Sequence, residues 1–323
     1  MIVRWGLDEL APLLGDLGLE RPLLITSPRF ADSPIAVERR FTGVRSHTPA
    51  DTVEAAVAAA AGADSVVPLG GGSAIDTAKA VSAQTGLPVV SVPTTYSGAE
   101  WTTFFGTRDE ELGVKGGGGG ATLAGIVYDP RLTLDLPRAE TAGTAMNALA
   151  HAAEALYTTT RDPAGDEDAL AGAAAVAEAL PAVLASPRDL AARARLLAGA
   201  AHAGAALGVS FMGLAHAIAQ ALGGRYGLPH GAMNALVLAP TLRFNEPVAH
   251  DALRRLGEAL GGDAVRETER LAHLGGFDRL RVFDVPEAEL PDVAVAAVDR
   301  PAARANPRRA TVADIEAILG AAY

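Results

Sequence analysis

The stretch that most constrains this chain is VVPLGGGSAIDTAKAV, Val66 to Val81. A short apolar run, Val66, Val67 and Leu69, breaks into Gly70, Gly71 and Gly72, passes through Ser73 and continues in a helical pattern. That order predicts strand, tight turn, helix. Glycines let a backbone approach an anion closely, and a helix N-terminus presents N–H groups with a partial positive charge. The turn is therefore a phosphate-loop candidate. Its spacing matches neither G-x-G-x-x-G nor G-x-x-x-x-G-K, so taken alone it is also compatible with a ligand-free connection.

The surrounding sequence repeats the same alternation. A strand at MIVRW, a helix at DELAPLLGDLG, a strand at PLLITS, a helix around Pro34 to Arg40, a short strand near FTGV and a helix at DTVEAAVAAAAGA lead to strand 66–69, helix 74–84 and strand PVVSVP. Strands separated by helices predict an α/β region with a doubly wound, mostly parallel sheet. Ligands of such sheets sit at the carboxyl ends of the strands, where the glycine turn, Pro93, Thr94 and Thr95 fall. From about Pro137 strand signals nearly vanish and alanine-rich helical segments follow one another. The expected division is 1–136 and 137–323, the second part all α. Gly116 to Gly120, after Lys115, reads as a mobile loop.

Composition closes several routes. A formal charge of -11 and a pI near 5.1 argue against nucleic acid or an acidic membrane as partner. There is no cysteine, which excludes disulfides, thiolate metal sites and a cysteine nucleophile. Any metal must use His, carboxylate, amide or water. The opening MIVRWGLDELAPLL lacks the order of a signal peptide, and no uncharged run of about 20 strongly apolar residues follows, so a cytoplasmic location without a membrane partner is expected.

In the helical half, Asn147 and His151 are four apart in GTAMNALAHAAEALY and project from one helix face. His216 and His230 also lie among apolar residues, in HAIAQALGGRYGLPHG. Imidazoles buried there need hydrogen-bond partners or a metal, and a shared site satisfies all three at once. Separate core histidines are the alternative.

The succession GGGSAIDTAKA, VPTTYSGAE, YDPRLTLDLP, MNALAHAAEALY, HAIAQALGGRYGLPHG and NPRRAT resembles the iron-containing alcohol dehydrogenase superfamily over nearly the whole chain, and within it the maleylacetate reductases. The resemblance implies a Rossmann-like nucleotide-binding domain, an all-α substrate domain of the dehydroquinate synthase-like architecture, a cleft holding NAD or NADP and a small-molecule substrate, and a homodimer. By position, Gly71, Gly72 and Ser73 would take the pyrophosphate, with Asp76 and Lys79 on the following helix. Thr94, Thr95 and Ser97 would line the cofactor path, and Ser27 and Lys115 complete the cofactor set. Asp76 and Lys79 are also readable as a surface ion pair.

The metal-ligand positions of the superfamily fall on Asn147, His151, His216 and His230. Most metal-dependent members have an aspartate where Asn147 stands, and a further histidine is replaced by Gln220. A divalent metal, zinc or iron, and a metal-free site both remain open. In the second case His151, His216, His230 or Tyr96 would supply the proton or stabilise the oxyanion. The implied activity is hydride transfer between nicotinamide and a small oxo or hydroxy acid, maleylacetate reductase-like. A dehydrogenase of β-hydroxy acids, with loss of carbon dioxide, and a non-redox homologue are the alternatives. After PLLITS come Ser27, Pro28 and Arg29 with no acid, so NADPH should be accepted, with Arg29 as its phosphate partner or as a plain surface residue.

Overall fold

The computed structural model describes all residues from Met1 to Tyr323. Two compact units divide them, Met1–Thr95 with Ala99–Asp135, and Tyr96–Gly98 with Leu136–Tyr323.

The first unit runs β1 (Ile2–Trp5), α1 (Leu10–Asp16), β2 (Pro22–Thr26), β3 (Arg39–Phe41), α2 (Ala50–Ala59), β4 (Ser65–Gly70), α3 (Gly72–Thr85), β5 (Val89–Pro93), β6 (Phe105–Asp109), β7 (Val114–Gly118) and β8 (Leu123–Tyr128). Six strands form one parallel sheet in the order β1-β8-β5-β4-β2-β3. Every residue of β4 is buried, as expected of a parallel strand covered on both faces. Alternate side chains of the strands feed two cores. Leu24, Val67 and Val90 pack with Leu10 and Leu13 of α1, while Leu23, Ile25, Val66 and Val89 pack with Ala56 of α2 and Ala78 and Val81 of α3.

Two expectations in this unit, and one alternative reading, need correction. No helix forms at Pro34 to Arg40. The Arg40 guanidinium instead donates to the carbonyls of Ala31, Ser33 and Ile35 and holds this segment as a loop, and Arg39–Phe41 joins the sheet beside β2. Gly116 to Gly118 are no mobile loop but lie in β7, antiparallel to β6. A side chain would not fit there, since a Cβ on Gly117 would meet the Phe105 carbonyl at 2.3 Å. Nor is Lys79 on the surface. It is 1% exposed, and its Nζ donates to Ala99 O (2.8 Å) and Phe104 O (2.6 Å) while pairing with Asp76 (2.9 Å). Lys79 thereby ties α3 to the segment leading into β6.

A buried acid also lies in this unit. Glu100 Oε1 accepts from the Tyr128 hydroxyl at 2.6 Å, that hydroxyl accepts from Trp101 Nε1 at 2.7 Å, and Glu100 Oε2 is buried without a partner. Burial raises the Glu100 pKa, and burial, with the adjacent Glu100 carboxyl second, raises that of Tyr128 well above its ordinary value. A raised carboxyl pKa means that the folded chain holds this proton more tightly than the unfolded chain. The stabilising effect is complete at acid pH and is lost as pH rises through the folded value. Glu100→Gln should therefore raise Tm at pH 7.5 by about 2 °C, with a smaller gain near pH 4.5. Thermal melts at the two pH values that show no gain, or a larger gain in acid, would contradict this.

The second unit holds α4 (Arg138–Ala155), α5 (Asp166–Ala185), α6 (Leu190–Val209), α7 (Leu214–Tyr226), α8 (His230–Leu260), α9 (Ala264–Gly275), α10 (Leu290–Val298), α11 (Pro301–Arg304) and α12 (Val312–Ala322). Its small residues let helices approach closely. Gly231 at the start of α8 has no room for a side chain, because a Cβ would lie 2.3 Å from Gly143 O of α4. This contact brings the start of α8, with His230, against the helix that carries Asn147 and His151. Farther along, α8 kinks at Ala249 (φ -122, ψ 24), two residues after Pro247.

Candidate functional site

In the α/β unit, strands β2, β4 and β5 are adjacent and parallel, with Thr26 opposite Leu69 and Gly70 opposite Pro93. Their carboxyl ends place Ser27, the glycine turn and Thr94–Thr95 in one row. Gly71 is the N-cap of α3; its carbonyl accepts from Ala74 N (3.0 Å) and Ile75 N (3.2 Å), which leaves the N–H groups of Gly72 and Ser73 as the first-turn donors without an acceptor in the helix. A Cβ on Gly71 would sit 2.8 Å from Thr95 Cγ2 and 3.2 Å from Thr95 Oγ1. That hydroxyl is buried without a hydrogen-bond partner. A helix N-terminus and an unsatisfied hydroxyl beside it fit a dinucleotide pyrophosphate.

The other expected cofactor residues divide between ligand-facing and structural places. Ser73 Oγ accepts from His47 N at 3.1 Å, which anchors a neighbouring loop where His47 and Thr48 take positive φ of 64° and 52°. Asp76 accepts from Gly106 N and pairs with Lys79, so it holds the start of β6. The Lys115 side chain packs over Gly106 beside Asp76. Arg29 is exposed, donates to Asp135 O at 2.6 Å and covers the Phe30 ring.

In the helical unit the three histidines form one cluster. The rings of His151 and His216 stack with centroids 4.6 Å apart at 11°, and those of His216 and His230 are 5.5 Å apart at 50°. His216 is fully buried, His151 is 5% exposed and His230 is half-buried. His230 is thus the most exposed of the three rings, although its Nδ1 atom is itself buried.

Two residues that sequence reasoning missed hold the cluster. Glu154, itself fully buried on α4, accepts from Gly213 N (2.7 Å), Ala215 N (2.8 Å) and His216 Nδ1 (2.5 Å). One carboxylate thus caps the N-terminus of α7 and orients His216, whose Nε2 is buried without a partner. Asn234 Nδ2 donates to Asn147 Oδ1 at 2.6 Å and faces His230 Nε2 at 3.2 Å. Both had a signal. Glu154 stands three residues after His151, and Asn234 four after His230.

Amide orientation decides what the cluster can bind. Asn147 Nδ2 lies 2.9 Å from Ser97 O. A carbonyl only accepts, so the NH₂ must face it and Oδ1 must face Asn234. The Asn147 NH₂ then also faces His151 Nε2 at 3.4 Å. Both imidazoles accept at Nε2 and in their neutral forms carry the proton on Nδ1. Amide hydrogens occupy the places where a cation would meet these lone pairs, and the only Asn147 oxygen is engaged. No group of three or more His, Asp or Glu side chains converges as a metal cage. The donor set of Asn147, His151, His216 and His230 does not fit a divalent ion.

Tyr96 also differs from its expected role. Its phenol is fully buried and accepts from the buried Arg193 Nη1 at 3.1 Å, while its N–H donates to Thr144 Oγ1. It anchors the Tyr96–Gly98 segment that carries Ser97 O.

Comparison with known proteins follows the same lines. Residues 4–130 match the iron-containing alcohol dehydrogenase family and residues 141–323 its C-terminal region. Maleylacetate reductase of Pseudomonas knackmussii is 40% identical over 276 residues, 81% of this chain and 78% of that protein. That of Burkholderia cepacia is 35% identical over 332 residues, 98% of this chain and 93% of that protein. The crystal structure of maleylacetate reductase from Agrobacterium tumefaciens superposes with a TM-score of 0.91 at 32% identity, covering 100% of this chain and 95% of that one. The chain belongs to the iron-containing alcohol dehydrogenase superfamily, is similar to its maleylacetate reductases, and is an NAD(P)-dependent oxidoreductase.

Proposed function

We propose that the chain reduces maleylacetate or a closely related oxo dicarboxylate without a metal. The dinucleotide supplies a hydride when bound, its pyrophosphate held at Gly71, Gly72 and Ser73. In maleylacetate the oxo group is conjugated to a carbon–carbon double bond. Hydride arriving at either end of that system leaves negative charge on the oxo oxygen. A neutral site must therefore offer N–H donors to this oxygen, and it must return one proton to complete the product. The half-buried His230 is the donor at the open end of the cluster, backed by His216 and the Glu154 carboxylate. The observation that carries this reading is the pair of amide NH₂ groups, from Asn147 and Asn234, that face His151 and His230 where a metal would otherwise lie.

The test is direct. Purified protein with maleylacetate should consume NADH and NADPH, followed by the loss of nicotinamide absorbance. No acid follows β2 to repel a 2′-phosphate, so the two kcat/KM values should lie within about a hundredfold, or 2.7 kcal/mol. No turnover would reject the substrate. A preference for NADH beyond that range would reject the cofactor reading alone.

A further inference from the structure

We propose that the turn at His47 and Thr48 is a positioning device for the dinucleotide: it holds the Ser73 hydroxyl so that its proton is directed to the bound pyrophosphate. The inference rests on the placing of the pyrophosphate at Gly71, Gly72 and Ser73 proposed above. Only three residues other than glycine take positive φ, His47 at 64°, Thr48 at 52° and Asp284 at 56°. Aspartate visits this region readily, whereas a β-branched threonine there is an outlier. Two such residues in succession carry a conformational cost that surrounding contacts must offset, and strain of this kind gathers at ligand sites.

The contacts that hold the turn converge on one residue. His47 N donates to Ser73 Oγ at 3.1 Å, and Thr48 Oγ1 donates to Ser73 O at 3.2 Å. Thr48 is 1% exposed, and its carbonyl accepts from Arg108 N of β6 at 3.4 Å. The turn is thereby fixed between the first turn of α3 and β6. Ser73 O does not depend on Thr48 for a partner, since Thr77 Oγ1 of the same helix donates to it at 2.8 Å. What the Thr48 hydroxyl secures is the turn itself, and with it the His47 N–H.

Proton accounting then gives the Ser73 hydroxyl its direction. A backbone N–H only donates, so Ser73 Oγ is the acceptor toward His47 and its own proton goes to a different partner. No acceptor of the chain takes that proton, and Ser73 is half-buried at the start of α3. The residue therefore offers two donors side by side, the hydroxyl and the amide N–H that has no acceptor in the helix. A ligand rich in acceptors and free of donors suits this end of α3, as a pyrophosphate does. With the turn in place the hydroxyl is oriented before the ligand arrives, which lowers the ordering cost of binding. Without the Thr48 hydroxyl the turn can leave the left-handed region, and His47 N then leaves Ser73 Oγ.

The experiment is fluorescence titration with NADPH, paired with a thermal melt, on wild type, Thr48→Val, Thr48→Gly, Thr48→Ser, Ser73→Ala and the double variant Thr48→Val/Ser73→Ala. Thr48→Val keeps the branched shape and loses the hydroxyl. Thr48→Gly loses it too but adopts positive φ without strain, so it serves if the valine variant does not fold. Both should raise the Kd for NADPH at least about threefold, the scale of one modest hydrogen bond, and Thr48→Ser should stay below that margin. The double variant should bind NADPH as Ser73→Ala does, because Thr48 acts through that hydroxyl. Folded Thr48→Gly or Thr48→Val protein below the margin would overturn the proposal. So would a double variant whose loss is the product of the two single losses, the mark of an effect independent of Ser73. Ser73→Ala binding as wild type does would overturn it as well, and Gly71→Val then shows separately whether the pyrophosphate lies at this turn at all.

Discussion

Gly71→Val is expected to weaken dinucleotide binding by more than about a hundredfold, or 2.7 kcal/mol, while the protein stays folded. The position needs space rather than an unusual backbone, for Gly71 has φ -86 and any residue adopts it. The first added carbon would lie 2.8 Å from Thr95 Cγ2, and the two further methyls of valine add bulk at the N-cap of α3. Displacing one threonine side chain costs about 1–3 kcal/mol as overpacking, which a chain with so large a core tolerates. A pyrophosphate cannot share the volume. Fluorescence titration with NADPH, alongside a thermal melt, separates the two effects. A folded Gly71→Val protein that binds NADPH as wild type does would remove the pyrophosphate from this turn.

The second large effect is expected at His230. Replacing it by alanine should lower kcat about 10²–10⁴-fold, the range for loss of a general acid or an oxyanion donor, with NADPH affinity unchanged. The order of burial makes His230 the informative choice. His216 is fully buried and its Nδ1 is bound to Glu154, so its replacement also strips a buried carboxyl group of a hydrogen-bond partner and mixes stability with rate. His230 is half-buried, and its replacement removes its contacts with Asn234 Nδ2 and the His216 ring but leaves the bond between Glu154 and His216 in place. Full activity in a folded His230→Ala protein would place the reacting oxygen elsewhere.

Much of this architecture is legible in the sequence because burial on both faces of a parallel strand leaves an unbroken apolar run. Val66 to Leu69 is such a run, and the glycines and the helix that follow it need no tertiary information. What failed depends on specific side-chain and strand-pairing contacts that propensity does not encode. The segment at Pro34 to Arg40 is set by one guanidinium binding three carbonyls, and β7 pairs glycines that carry no strand propensity. The i, i+4 spacing of Asn147 and His151 correctly announces one helix face, and burial cost gathers the three imidazoles. The direction of the Asn147 amide is invisible from sequence, since Ser97 O, 50 residues away, fixes it.

The central claim is that the histidine cluster serves the oxo oxygen without a metal. It is tested by turnover of maleylacetate with NADPH before and after exhaustive chelation, together with the metal content of protein purified without added ions. The amide arrangement at Asn147 and Asn234 predicts zinc and iron well below one per chain and turnover unchanged by chelator. Stoichiometric metal, with activity lost on chelation and restored by that ion, would contradict it.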